Sequence, residues 1–220
     1  MKLRNQLHDN FSTRDIVTTG CGRASEFGVQ MLTIIKDTDC KYKVLTIKRS
    51  DKVAARKGYW QFIPSGGFEV FEREGKLDKR ALEENYSVTH ALLREFVEEV
   101  YGEPEFGDIK NGESLRKIDN HEEVQYIYSL IDKGQAEFIF LGSAVDIIGL
   151  RHELSFALII HDGKYGKKTF KSNEESTKIE RFTFEDIYNI EDKSMINPAS
   201  VALWKLFVES DKYKELKDKV

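Results

Sequence analysis

Three glutamates, Glu95, Glu98 and Glu99, stand at the i, i+3 and i+4 spacing that brings side chains together on one side of a helix. At about 100° per residue, with Leu92 set to zero, Leu93, Phe96, Val97 and Val100 fall at roughly 40–140° and form one apolar face. The glutamates fall at roughly 240–340°, a compact arc opposite it. Three like charges so placed repel one another. A hard divalent cation removes that repulsion, because such ions take carboxylate oxygens together with water and substrate phosphates. Alone, the arc reads more simply as the solvated acidic face of an ordinary helix.

The upstream turn changes that balance. Pro64-Ser65-Gly66-Gly67-Phe68-Glu69 directly follows a predicted strand, and paired glycines let backbone approach another element closely. A Gly-Gly turn followed, after an intervening segment, by Arg94-Glu95-Phe96-Val97-Glu98-Glu99 resembles the Nudix box, G-x5-E-x7-R-E-U-x-E-E-x-G-U with U a bulky apolar residue. The resemblance extends to the lead-in segments VLTIKRS and GYWQFIPSGG, to HELSFALII, and to EESTKIERFTFEDI with the helix after Pro198, so it covers about residues 27–210. Two positions depart from the pattern. Arg73 stands where the early Glu belongs, with Glu69, Glu72 and Glu74 nearby and residues 73–93 replacing a seven-residue spacer. Tyr101 stands where the motif has Gly, and Gly102 follows one position late.

The resemblance implies an α+β chain of the Nudix type, an α/β/α sandwich around a mixed sheet. It implies Mg²⁺ (or Mn²⁺) held by Glu95, Glu98 and Glu99, with the Gly67 carbonyl as a further ligand, and Arg94 orienting a carboxylate of the set. It implies hydrolysis of a phosphoanhydride linkage in a nucleoside diphosphate joined to another moiety, a small-molecule diphosphate substrate. The proton acceptor lies late in such chains; here the candidates are Glu174, Glu175 and Glu153. The alternative is a non-catalytic domain that binds a nucleotide or sugar phosphate as a sensor. A third reading, an isomerase on the same fold, needs a cysteine at the pocket, and Cys40 falls in a predicted hairpin turn.

The elements that must position these residues follow from period and punctuation. Gly28–Ile35, Tyr42–Lys48 and Gly58–Pro64 read as strands. Ser87 reads as the N-cap of a helix running to about Tyr101, with Gly102 as its stop. Residues 103–122 read as loop. Val124–Ser129, Ala136–Leu141, Glu153–His161 and Ile179–Thr183 read as further strands. Phe184–Tyr188 begins a short helix, and Pro198–Ser210 reads as a helix packing Val201, Leu203, Leu206 and Phe207. Residues 1–26 are polar and weakly patterned, an expected N-terminal arm before a single domain at 27–220; residues 73–86 read as a charged excursion. Gly163–Thr169 lacks the spacing of a phosphate loop and reads as a hairpin turn. Tyr59, Trp60 and Phe68 flank the glycine turn and are candidates for stacking on a base or ring.

Composition bounds the rest. A net charge of −4 and a pI near 5.8 give no basic footprint for nucleic acid. The 2 cysteines permit no disulfide framework or zinc spacing. Apolar runs are too short for a membrane span and the first residues lack a signal-peptide core, so a cytoplasmic setting is expected, with room for a homodimer.

Overall fold

A computed structural model describes residues 2–19, 27–53, 56–68, 79, 86–104, 117–146, 151–171, 173, 176–191 and 195–217. Two helices precede the first strand, α1 (Lys2–Asn10) and α2 (Thr13–Thr19). Ser12 caps α2, its Oγ accepting the Asp15 N–H at 3.1 Å, and Ile16 is buried.

Among the described residues seven strands form one sheet: β1 (Phe27–Lys36), β2 (Tyr42–Arg49), β3 (Trp60–Phe62), β4 (Ser65–Gly67), β5 (Ala136–Asp146), β6 (Arg151–Ile160) and β7 (Ser176–Phe182). The main path runs β3-β2-β1-β6-β5, with β4 added to β1 and β7 added to β2. β1 pairs in parallel with β6, from Phe27 opposite His152 to Ile35 opposite Ile160; the other pairings are antiparallel. The sheet is therefore mixed. β1 and much of β6 are apolar on both faces, as strands covered on both sides must be.

The covers are α3 (Val88–Tyr101) and α4 (Glu122–Asp132) on one face, α5 (Phe184–Glu191), α6 (Pro198–Val208) and α7 (Asp211–Lys217) on the other. Leu92, Leu93, Phe96, Val97 and Val100 of α3 pack with Val29, Met31 and Leu158. Leu203, Trp204 and Phe207 of α6 pack with Leu32, Ile34 and Ile159. Alternate residues of the central strands thus feed two separate cores, giving the α/β/α sandwich.

Two expectations fail. Val124–Ser129 is not a strand but the middle of α4. Its aromatic and β-branched residues mimic strand composition, yet Val124, Ile127 and Leu130 are the buried ones, a helical period, and Glu122 and Glu123 suit a first turn. Gly163–Thr169 is not a hairpin turn. β6 and β7 do not pair; the segment crosses the sheet end through a short 3-10 turn at Tyr165–Lys167, with Tyr165 fully buried. Gly166 lies so close to the Lys36 carbonyl and the Asp37 backbone that a side chain there would collide.

Candidate functional site

α3 is fixed at both ends by its own sequence. Ser87 Oγ accepts the His90 N–H at 3.2 Å, and Gly102 closes the helix at φ 66°, its N–H returning to the Val97 carbonyl. The added residue at Tyr101 therefore lengthens the helix without disturbing the glutamate spacing upstream.

Beside α3 lies β4, a three-residue strand made of the glycine turn itself. It pairs with β1 as Ser65 to Gln30, Gly66 to Val29 and Gly67 to Gly28. A Cβ on Gly66 would fall on the Glu95 carboxylate, so only glycine lets the strand pass this close to the helix. Glu99 Oε2 accepts the Ser65 N–H at 2.8 Å. Arg94 Nη2 donates to Glu95 Oε1 at 2.6 Å and to the Gly67 carbonyl at 3.2 Å.

The acidic arc is thus not the solvated face its helical position suggests. Glu98 and Glu99 are 7% and 6% exposed, and Arg94 is 4% exposed. The arc does lie away from the apolar stripe, but the glycine turn and the strands beneath it cover it. Periodicity says which residues share a face and is silent about a second element docking on that face.

A hard divalent cation fits this chemistry in part. The donors are carboxylate and carbonyl oxygens, the ligands Mg²⁺ and Mn²⁺ prefer. Three carboxyl groups and one guanidinium gather on this side of α3, and burying such groups is favourable only when partners compensate them. Among the described residues, however, no three His, Cys, Asp or Glu side chains converge closely enough to hold one ion. Glu95 is instead turned to Arg94 and Glu99 to the Ser65 N–H.

Other sequence candidates distribute unevenly. Glu174 and Glu175 lie outside the described residues, as do Glu69, Glu72, Arg73, Glu74 and all but Lys79 and Tyr86 of the 73–86 excursion. Glu153 is present on β6, 8% exposed and paired with Arg151 at 3.2 Å. Trp60 is placed elsewhere: its ring packs on Phe182 at 4.6 Å and its backbone pairs with Ile196 in the core beneath α6. Phe68 does stay at the turn, its ring against Tyr86 at 5.1 Å. Cys40 is exposed in the β1–β2 turn, at the end of β1 opposite the glycine turn. Ten residues of strand put it about 30 Å away, so Cys40 does not supply the cysteine that the isomerase reading needs; Cys21 lies outside the described residues.

Two features escaped sequence reasoning. Arg151 Nη2 donates to the Gly66 carbonyl at 2.6 Å, a contact across three strands with no local signal. Behind α3, the Tyr101 hydroxyl meets Tyr165 at 2.7 Å and Glu123 at 3.1 Å, and Lys168 closes on Glu123 at 2.5 Å. Burial, then the neighbouring Tyr165 and Glu123, drive the Tyr101 hydroxyl far above the ordinary tyrosine range, so it stays a neutral donor. A motif Gly at this position could make none of these contacts.

No family model matches the chain, and no curated protein matches it in sequence. Solved structures do resemble it. A bifunctional NMN adenylyltransferase/ADP ribose pyrophosphatase from Francisella tularensis, in complex with AMP and a Mn ion, superposes with a TM-score of 0.51 at 13% identity, over 94% of this chain and 47% of that one. The same protein without that complex gives 0.50 at 13% identity, over 95% and 47%. The present chain thus spans about half of that two-activity protein. The NUDIX domain of NrtR from Shewanella oneidensis, complexed with ADP ribose, gives 0.46 at 12% identity, over 93% of this chain and 96% of that one. At 13% identity the likeness to the Francisella tularensis protein shows the fold alone, an α/β/α sandwich with a mixed sheet of the kind that the box-like motif implied.

Proposed function

We propose that this chain hydrolyses a phosphoanhydride linkage in a nucleoside diphosphate joined to a second moiety, with Mg²⁺ or Mn²⁺ as the metal. One observation carries the reading: Glu98 and Glu99 are buried on the helix face that meets the glycine turn. Burying carboxylates is costly unless a cation or donors compensate them, and groups under such cost cluster at functional sites. Glu95, Glu98, Glu99 and the Gly67 carbonyl would hold the metal; when bound, it neutralises diphosphate charge and lowers the pKa of an attacking water. Arg94 grips both Glu95 and the Gly67 carbonyl and so fixes ligands from two elements at once. The Ser65 N–H orients Glu99. Glu174 or Glu175 is the candidate to accept the water's proton.

The sensor reading, a domain that binds a nucleotide or sugar phosphate without turnover, is favoured by one observation, the absence of a converged acidic trio among the described residues. A panel of nucleoside-diphosphate compounds incubated with Mg²⁺ and with Mn²⁺, scored for phosphate-bearing products, separates the two. Product formed by the native chain and lost in Glu98→Gln supports the hydrolase. Saturable ligand binding with no product in either metal supports the sensor.

A further inference from the structure

Glu153 of β6, Gly28 of β1 and Gly67 of β4 stand in one row across three adjacent strands, because Gly28 is the register partner of both neighbours. The middle position carries no side chain. A Cβ on Gly28 would fall on the Glu153 carboxylate and beside the Arg151 guanidinium, so both side chains lean across β1 through the space that Gly28 leaves. Arg151 Nε meets Glu153 Oε1 at 3.2 Å, and Arg151 Nη2 reaches the Gly66 carbonyl at 2.6 Å. Glu153 is 8% exposed. A buried carboxylate paired with a guanidinium that in turn holds a backbone carbonyl is an orienting arrangement, in which each group restricts the next.

Three consecutive residues of the turn each have one backbone group fixed by a side chain. Glu99 accepts the Ser65 N–H, Arg151 donates to the Gly66 carbonyl, and Arg94 donates to the Gly67 carbonyl. Two of these restraints come from α3, on one face. The third comes from β6, and it holds the turn in register with the sheet rather than with the helix.

We propose that Arg151 and Glu153 are a positioning couple that fixes the Gly66–Gly67 backbone against the glutamates of α3, with Glu153 acting through Arg151 and not as a proton acceptor. This rests on the metal-binding reading of the site. If the turn is free to drift, the Gly67 carbonyl and the carboxylates lose their mutual geometry, and outer partners of metal ligands typically alter affinity ~10–100-fold.

The test uses the full chain and two independent readouts: Mn²⁺ affinity by calorimetry, and hydrogen exchange at the amides of Ser65 and Phe68, with the melting temperature of each variant as a control. Arg151→Gln is expected to weaken Mn²⁺ binding ~10-fold or more and to speed exchange at Ser65, with melting unchanged. Arg151→Lys, which keeps a donor for the Gly66 carbonyl, recovers part of both. Gly28→Ala, which displaces the couple without removing it, reproduces the Arg151→Gln effects. Unchanged exchange at Ser65 in both Arg151→Gln and Gly28→Ala overturns the proposal, as does a change that only tracks a lowered melting temperature. A native chain that binds no Mn²⁺ defeats the metal reading, and the exchange result then decides the positioning role separately.

Discussion

The sandwich buries two very different kinds of surface. Beneath α6, Trp204 lies within ring-contact distance of Phe184, Phe207, Tyr213 and Tyr188, with centroids 5.5–5.9 Å apart, and aliphatic residues of β1 and β6 close the cluster. Along α3, the charged residues withdrawn from water are Arg94, Glu98 and Glu99, with Glu153 buried on β6. The first region gains free energy by excluding water, at ~25 cal/mol per Å² of apolar surface. The second spends part of that gain on desolvating charge, and each group must be compensated by a partner. Both faces of the sheet bury an apolar core, but the aromatic cluster lies beneath α6 and the buried charges of α3 lie on the other side.

That division makes unequal predictions for the two faces. The largest concerns the aromatic one. Trp204→Ala should destabilise the fold by about 3–5 kcal/mol, measured by urea denaturation, while Mn²⁺ affinity of the molecules that remain folded stays as in the native chain. A parallel loss of metal affinity would show that the two faces are not separable. Next in size, Glu98→Gln with Glu99→Gln should do the reverse. Mn²⁺ affinity should fall by more than the ~10–100-fold that losing an outer partner costs, that is by more than about 1.4–2.7 kcal/mol, with folding stability changed by less than about 1 kcal/mol, since Gln at 99 still offers an oxygen to the Ser65 N–H. Equal Mn²⁺ binding by the native and doubly substituted chains would remove these residues from the site.

The smallest effect belongs to the sheet end remote from the glycine turn. Burial raises the Asp37 carboxyl, but the Lys43 hydrogen bond, the Thr38 N–H and the charge of Arg181 outweigh it and hold the group below its ordinary 3.8. A depressed carboxylate contributes stability above its unfolded pKa and loses it as pH falls through the folded value. Stability should therefore decline as pH falls below about 4. Lys43→Met should flatten that decline by about 0.5–1 kcal/mol, read from denaturation at pH 7 and pH 3, and leave metal binding at neutral pH untouched.

How much of this was legible in the sequence differs by scale. The glutamate spacing, the glycine turn and the N-cap at Ser87 are local, and each sits where its residue types require. What local reading missed was anything set by a second element. The arc that helical position alone leaves to solvent is buried, with β4 docked against Glu95 and Glu99. Val124–Ser129 has strand composition and helical burial because α4 has to cover a sheet face. Arg151 carries no signal at all, since its contact is set by the row that Gly28 shares with Glu153 and Gly67. Trp60 flanks the turn along the chain, but the pairing of its backbone with Ile196 carries the ring to the other core.

The parallel pairing of β1 with β6 has a consequence for synthesis of the chain. Gln30 bonds Ser155 across 125 residues of sequence, and its strand is apolar on both faces. On the ribosome, β1 emerges long before its central neighbour exists. At ~5–20 residues per second, the wait is of the order of ten seconds. During it, β2 and β4 can clothe the strand from one side only. Such a long-range closure is the slow kind of contact to form, so β1 is the segment most in need of shielding while the chain is incomplete, and a stall anywhere before residue 160 leaves it the natural target for a chaperone.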